Sequence, residues 1–154
     1  MVWKELDTDF IFMALEANTY ADVMEQMGQT FIQKGYCKDT FVKALIEREQ
    51  EYPTGLDIDG FGVAMPHTNV NHVCKPAIGI GILKNPVTFL HMGTDDEKVD
   101  VQVVFILAVD DPNAHLEKIQ GILDIIQDKT ILEQFLKVEN KQDIINMIQE
   151  KEMA

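Results

Sequence analysis

The segment Val99 to Val109 constrains this chain more than any other. Its centre, VVFILAV, is wholly apolar. A short apolar run with no polar face reads as a strand covered on both sides. Upstream, Pro76 to Leu83 alternates strictly, with Ile78, Ile80 and Ile82 on one face and Gly79 and Gly81 on the other. Glycines on a strand face let another element approach closely. Shorter strands are predicted at Phe10 to Leu15, Phe61 to Met65 and Val87 to Leu90. Two covered faces need two layers of helices.

The helices are legible from spacing. Tyr20, Val23, Met24, Met27 and Phe31 recur at helical intervals between Thr19 and Lys34, and Thr19 with Asp22 has the form of a capping box. Gly35 suits the position just past the helix end. A second helix is predicted from Thr40 to about Gln50, capped by Asp39, with Phe41, Val42, Leu45 and Ile46 on one side. Pro53 and Gly55 would close it in a turn. After Asp110-Asp111-Pro112 a helix is predicted from about Ala114, with Leu116, Ile119, Leu123 and Ile126 as its core stripe. Thr130 with Glu133, and Asn140 with Asp143, read as caps of two closing helices. The sum is an α/β chain, a sheet with helices on both faces.

The length of 154 residues fits one domain. The net charge of −13, spread along the chain, argues against nucleic acid, which needs a basic stripe. No apolar run reaches the ~20 residues of a membrane span. MVWKELDTDF has neither a basic n-region nor an apolar h-region, so a cytoplasmic location is expected, with membrane association only through a partner. Cys37 and Cys74 form no CxxC and are expected to be free thiols. No nucleotide, dinucleotide or serine-hydrolase motif is present, and no His, Cys or carboxylate set has zinc spacing, so neither cofactor nor metal is expected.

Three residues carry possible chemistry. In GVAMPHTN, Pro66 ends the strand and keeps Met65 extended, so His67 leaves the strand end in a direction set by the proline. Strand ends in α/β sheets are where sites are built, though a lone loop histidine is also commonplace. His115 falls in the first turn of a predicted helix, where unpaired N–H groups favour anions; it also fits a boundary histidine beside the core. Arg48, among Glu47, Glu49 and Glu51, has the look of solvated surface charge, or of a cation held in place by acids.

Together REQEYPTGL (Arg48 to Leu56), GVAMPHT (Gly62 to Thr68) and DDPNAHLEKIQ (Asp110 to Gln120) resemble, in order and spacing, the enzyme IIA domain of sugar phosphotransferase systems of the fructose–mannitol type. The stretch Lys84 to Glu117 is most similar to the galactitol branch. The resemblance runs over nearly the whole chain, which implies one IIA domain over residues 1–150 with a tail at 151–154. It implies a mixed β-sheet between helical layers. It also implies that His67 is phosphorylated by the carrier protein HPr, that His115 is the second site histidine, and that Arg48 supports the phosphoryl group. The implied acceptor is a cysteine of the IIB component, with sugar crossing the membrane through IIC. Neither Cys37 nor Cys74 sits where a IIB nucleophile would, so the chain does not read as a IIB component. A regulatory IIA-like domain, signalling through its phosphorylation state, would carry the same three residues.

Overall fold

A computed structural model describes residues 1–94 and 96–154. Among the described residues five strands form one mixed sheet. They are β1 (Ile11–Leu15), β2 (Gly55–Ile58), β3 (Phe61–Ala64), β4 (Ala77–Leu90) and β5 (Lys98–Ala108), ordered β1-β4-β5-β3-β2. β1 runs parallel to β4 and β3 parallel to β5, whereas β4–β5 and β2–β3 are antiparallel. Helices α1 (Tyr20–Gln33) and α2 (Phe41–Glu51) cover one face. Helices α3 (His115–Ile126), α4 (Lys129–Phe135) and α5 (Lys141–Met153) cover the other. No helix among the described residues is long and apolar enough to cross a membrane.

β5 has no polar face because its two sides enter two cores. Val103, Phe105 and Leu107 pack toward α3–α5, and Val104, Ile106 and Ala108 toward α1 and α2. On β4 the isoleucines face α3–α5, and the two glycines admit α1. A Cβ on Gly79 would stand 2.9 Å from the Phe31 ring, and one on Gly81 2.7 Å from the Met27 sulfur. The capping box of Thr19 and Asp22 forms, and Asn140 caps α5 through the Asp143 N–H. Lys151 to Met153 are the last turn of α5, and the Glu152 carboxylate accepts the N–H groups of Val2 and Trp3 at 3.0 and 2.8 Å.

Several local expectations are corrected. Leu83 and Val87 belong to a single strand: β4 is continuous, and the register slips between Ile82 and Val87, where Pro86 offers no ladder donor. The second helix does end before Pro53, at Glu51, but Gly55 is not part of the turn that follows it. Gly55 opens β2, whose hairpin with β3 turns on Asp59 and Gly60, both at positive φ. Asp-Gly between two strands is a strong hairpin signal. Asp39 does not cap α2; Thr40 stands at that position without a capping bond, its hydroxyl being paired with His72 Nδ1 at 2.7 Å. Asp128, not Thr130, caps α4. In α3 Ile126 is buried and Ile119 and Leu123 pack half-buried against the core as expected, but Leu116 is 78% exposed, and Ile122 and Ile125 complete the buried face.

Candidate functional site

The site forms where the parallel pair β3–β5 ends. Past Ala64 the chain keeps its place beside β5: the Leu107 N–H donates to the Pro66 carbonyl at 3.0 Å, and His67 lies in register with Leu107. β5 then leads through Asp110 and Asp111 into a short 3₁₀ turn at Pro112–Ala114 and on into α3, whose first residue is His115. Asp111 caps that turn through the Asn113 N–H. Two histidines nearly fifty positions apart in sequence therefore meet, their ring centroids 4.8 Å apart and inclined at 64°. The loop after His67 is tied back at its far end, where Cys74 and Lys75 donate to the Tyr36 carbonyl.

His67 is only 9% exposed. Its Nδ1 lies 2.8 Å from the Met65 carbonyl oxygen. A carbonyl only accepts, so Nδ1 must carry the proton, and in the neutral ring Nε2 keeps its lone pair. Burial lowers the His67 pKa below its usual value, and the Arg48 charge and any proton on His115 lower it further, against the opposing pull of the Met65 bond. His115 is lowered as well, by burial first and then by Arg48. Arg48 sits in the last turn of α2 with its guanidinium 5.1 Å from the Tyr52 ring centre. Its charge is felt at both imidazoles, so the three residues singled out in the sequence share one neighbourhood.

Such a site suits chemistry on an anion. It holds an uncharged imidazole with a free lone pair, a second imidazole beside it, and one cation to offset the charge of an incoming anion. Among the described residues no group of three or more His, Cys, Asp or Glu is placed to hold a metal ion.

Residues 5–151 match the family described as phosphoenolpyruvate-dependent sugar phosphotransferase system, EIIA 2. The chain belongs to this family. It is thus a phosphotransferase component, of the kind that works through a phosphohistidine intermediate. The galactitol-specific EIIA component of Escherichia coli K12 is 30% identical over 122 residues, covering 79% of this chain and 81% of that one. Two solved IIA structures share the fold. The nitrogen regulatory protein IIA-Ntr of Neisseria meningitidis has a TM-score of 0.79 at 23% identity, covering 96% of this chain and 98% of that one. Enzyme IIA for mannitol from Escherichia coli, solved with phosphorylated enzyme IIB, has a TM-score of 0.76 at 20% identity, covering 94% and 96%.

Two residues of the site escaped the sequence reading. Glu49, grouped with the solvated acids beside Arg48, is only 5% exposed. Thr54 is buried against it: its N–H and hydroxyl donate to the Glu49 carboxylate at 2.7 and 2.8 Å. The signal was present in the spacing, since Val42, Leu45 and Glu49 follow one another at i, i+3 and i+7, a buried helix stripe. An acid on such a stripe is an exception to the usual apolar pattern.

Proposed function

We propose that this IIA protein accepts a phosphoryl group on Nε2 of His67 from phospho-HPr and passes it to a cysteine of a IIB component. The sugar served is galactitol or a related sugar alcohol, and the protein works in the cytoplasm, meeting the membrane through IIB and IIC. The single observation behind this reading is the His67 ring itself. Its Nδ1 is committed to Met65, so its lone pair is on Nε2, beside His115 and within the field of Arg48.

The steps balance simply. The Nε2 lone pair attacks phosphorus, the donor's P–N bond breaks, and its electron pair returns to the donor imidazole. His67 now bears phosphate on Nε2 and a proton on Nδ1. When the IIB thiolate attacks, the P–N bond breaks again and Nε2 takes the pair back. Because Nδ1 kept its proton, the leaving group is neutral imidazole and no proton has to move. Arg48 and His115 hold the phosphoryl oxygens during both transfers.

Surface features support a docking role. Tyr52, Met92 and Leu116 are large apolar residues left 56%, 39% and 78% exposed. Tyr52 lies against Arg48 and Leu116 follows His115, while Tyr52, Pro53 and Met92 line one shallow groove. Exposed Glu47, Glu51, Asp110, Asp111 and Glu117 lie near them in sequence. Galactitol rests on likeness to the galactitol-specific relative, and IIB on the mannitol complex.

The test is intact mass after incubation with enzyme I, HPr and phosphoenolpyruvate. The wild-type protein is expected to gain one phosphoryl group and His67→Ala none. A phosphorylated His67→Ala protein would refute the assignment. Adding IIB for galactitol separates transport from purely regulatory phosphorylation, because only a transport component discharges onto it.

A further inference from the structure

We infer that Glu49 and Thr54 act together as positioning residues that fix the ring of His67. The inference rests on the reading of His67 as the phosphoryl acceptor.

The connection is a sequence of directed hydrogen bonds. The Glu49 carboxylate accepts both donors of Thr54, its N–H at 2.7 Å and its hydroxyl at 2.8 Å. With the hydroxyl proton committed to Glu49, the lone pairs of Oγ1 are the only polar function left to face the strand. One of them accepts the Met65 N–H at 3.2 Å. The β2–β3 ladder ends at the pair Gly55 and Ala64, and the threonine hydroxyl supplies the next acceptor that the ladder lacks. The same residue, Met65, offers its carbonyl to His67 Nδ1 at 2.8 Å. Met65 is thus pinned on its N–H side by Thr54 while its C=O side selects the tautomer of His67.

Burial makes this arrangement costly enough to need a reason. A carboxyl taken out of water loses hydration that hydrogen bonds replace only in part. Among the described residues Glu49 forms no salt bridge. Both its oxygens are spent on Thr54. Glu49 also follows Arg48 directly in α2. The bond to Thr54 therefore ties the helix turn that presents the cation to the strand end that presents the nucleophile. Neither Glu49 nor Thr54 touches the reacting nitrogen; each acts through Met65.

The decisive measurement is the ¹⁵N spectrum of the His67 ring in the full chain, assigned by loss of its signals in His67→Gln. The wild-type ring is expected in its Nδ1-protonated form. Thr54→Val keeps the shape but loses the hydroxyl; it is expected to show a mixture of tautomers and roughly tenfold slower phosphoryl uptake from phospho-HPr. Thr54→Ser keeps the hydroxyl and is expected to restore both. Glu49→Gln can satisfy only one of the two Thr54 donors and is expected to shift the spectrum the same way; its near-identical volume lets it answer the question if Thr54→Val fails to fold. An unchanged tautomer in folded Thr54→Val or Glu49→Gln, even with a lower melting temperature, would reduce the pair to a structural role and overturn the inference. If the spectra shift as expected while the wild-type chain gains no phosphoryl mass, the positioning stands and the proposed acceptor role of His67 is what fails.

Discussion

The proposed acceptor role needs a neutral ring, and the surroundings of His67 favour the neutral form. Burial lowers its pKa below the ordinary 6.5, and the Arg48 charge and any proton on His115 lower it further. Protonation would cost the lone pair, so phosphoryl uptake should persist to lower pH than for a free imidazole. Its rate-against-pH midpoint is expected below 6.5, and a midpoint above that value would contradict the environment of the ring. His115→Ala should still accept the phosphoryl group and slow its transfer onward to IIB, read by quenched-flow transfer between the two proteins. Arg48→Lys should not substitute, since an ammonium cannot present the planar fork of a guanidinium to phosphate oxygens.

Glu49 gives a second pH signature at the same scale. Burial raises its pKa from 4.5 to about 7, against the lowering effect of the Thr54 bonds. Below 4.5 both folded and unfolded chains hold the proton and the group has no effect on the balance. As pH rises from 4.5 toward 7 the unfolded chain releases a proton the folded chain keeps, so stability falls, at about 1.4 kcal/mol for each pH unit between the two values. His67 acts with the opposite sign, because a lowered pKa makes stability fall as pH drops below 6.5. The difference between wild type and Glu49→Gln isolates the carboxyl: denaturant melts should show the variant losing less stability across pH 4.5 to 7.

At the scale of elements, the site depends on close approach of β3 to β5. A Cβ added to Gly62 would stand 2.0 Å from the Asp100 carbonyl oxygen, which is backbone and cannot rotate away. Gly62→Ala should push the two strands apart just before the site. A loss of roughly 1–3 kcal/mol is expected in urea unfolding, together with weaker coupling between the His67 and His115 rings. The irregularity is already designed into the register, which slips on β5 between the partners of Gly62 and Val63. That slip turns Val101 and Val104 toward the same core, and keeps Val103 on the other.

Across the whole molecule, charge and exposed apolar area work at different ranges. In the proposed docking, the net charge of −13 would act at a distance and the exposed apolar residues Tyr52, Met92 and Leu116 on contact. Raising salt from low to physiological strength should slow association with a basic partner while leaving its dissociation almost unchanged. A flat salt response would leave the charge to solubility alone. Leu116→Asp should instead speed dissociation, without disturbing the fold, because that side chain is in water.

The sequence by itself determined the elements with strong local signals and the chemistry of the motifs. The capping box at Thr19, the isoleucine–glycine alternation on β4 and the two-faced apolar run of β5 each encode their structure within a few residues, so they could be read without partners. So could the residue types at Arg48, His67 and His115. Only tertiary structure decided that these three converge, because a distance between the ends of α2, β3 and β5 is set by strand order and crossovers, which no local pattern carries. It also decided what is buried. Glu49 reads as one acid among several until Thr54 closes over it, and Leu116 reads as core until the packing of α3 turns it outward. Exposure is decided by what packs against a residue: the helix stripe of Val42, Leu45 and Glu49 pointed inward, but only the fold shows Thr54 closing over the acid and nothing closing over Leu116.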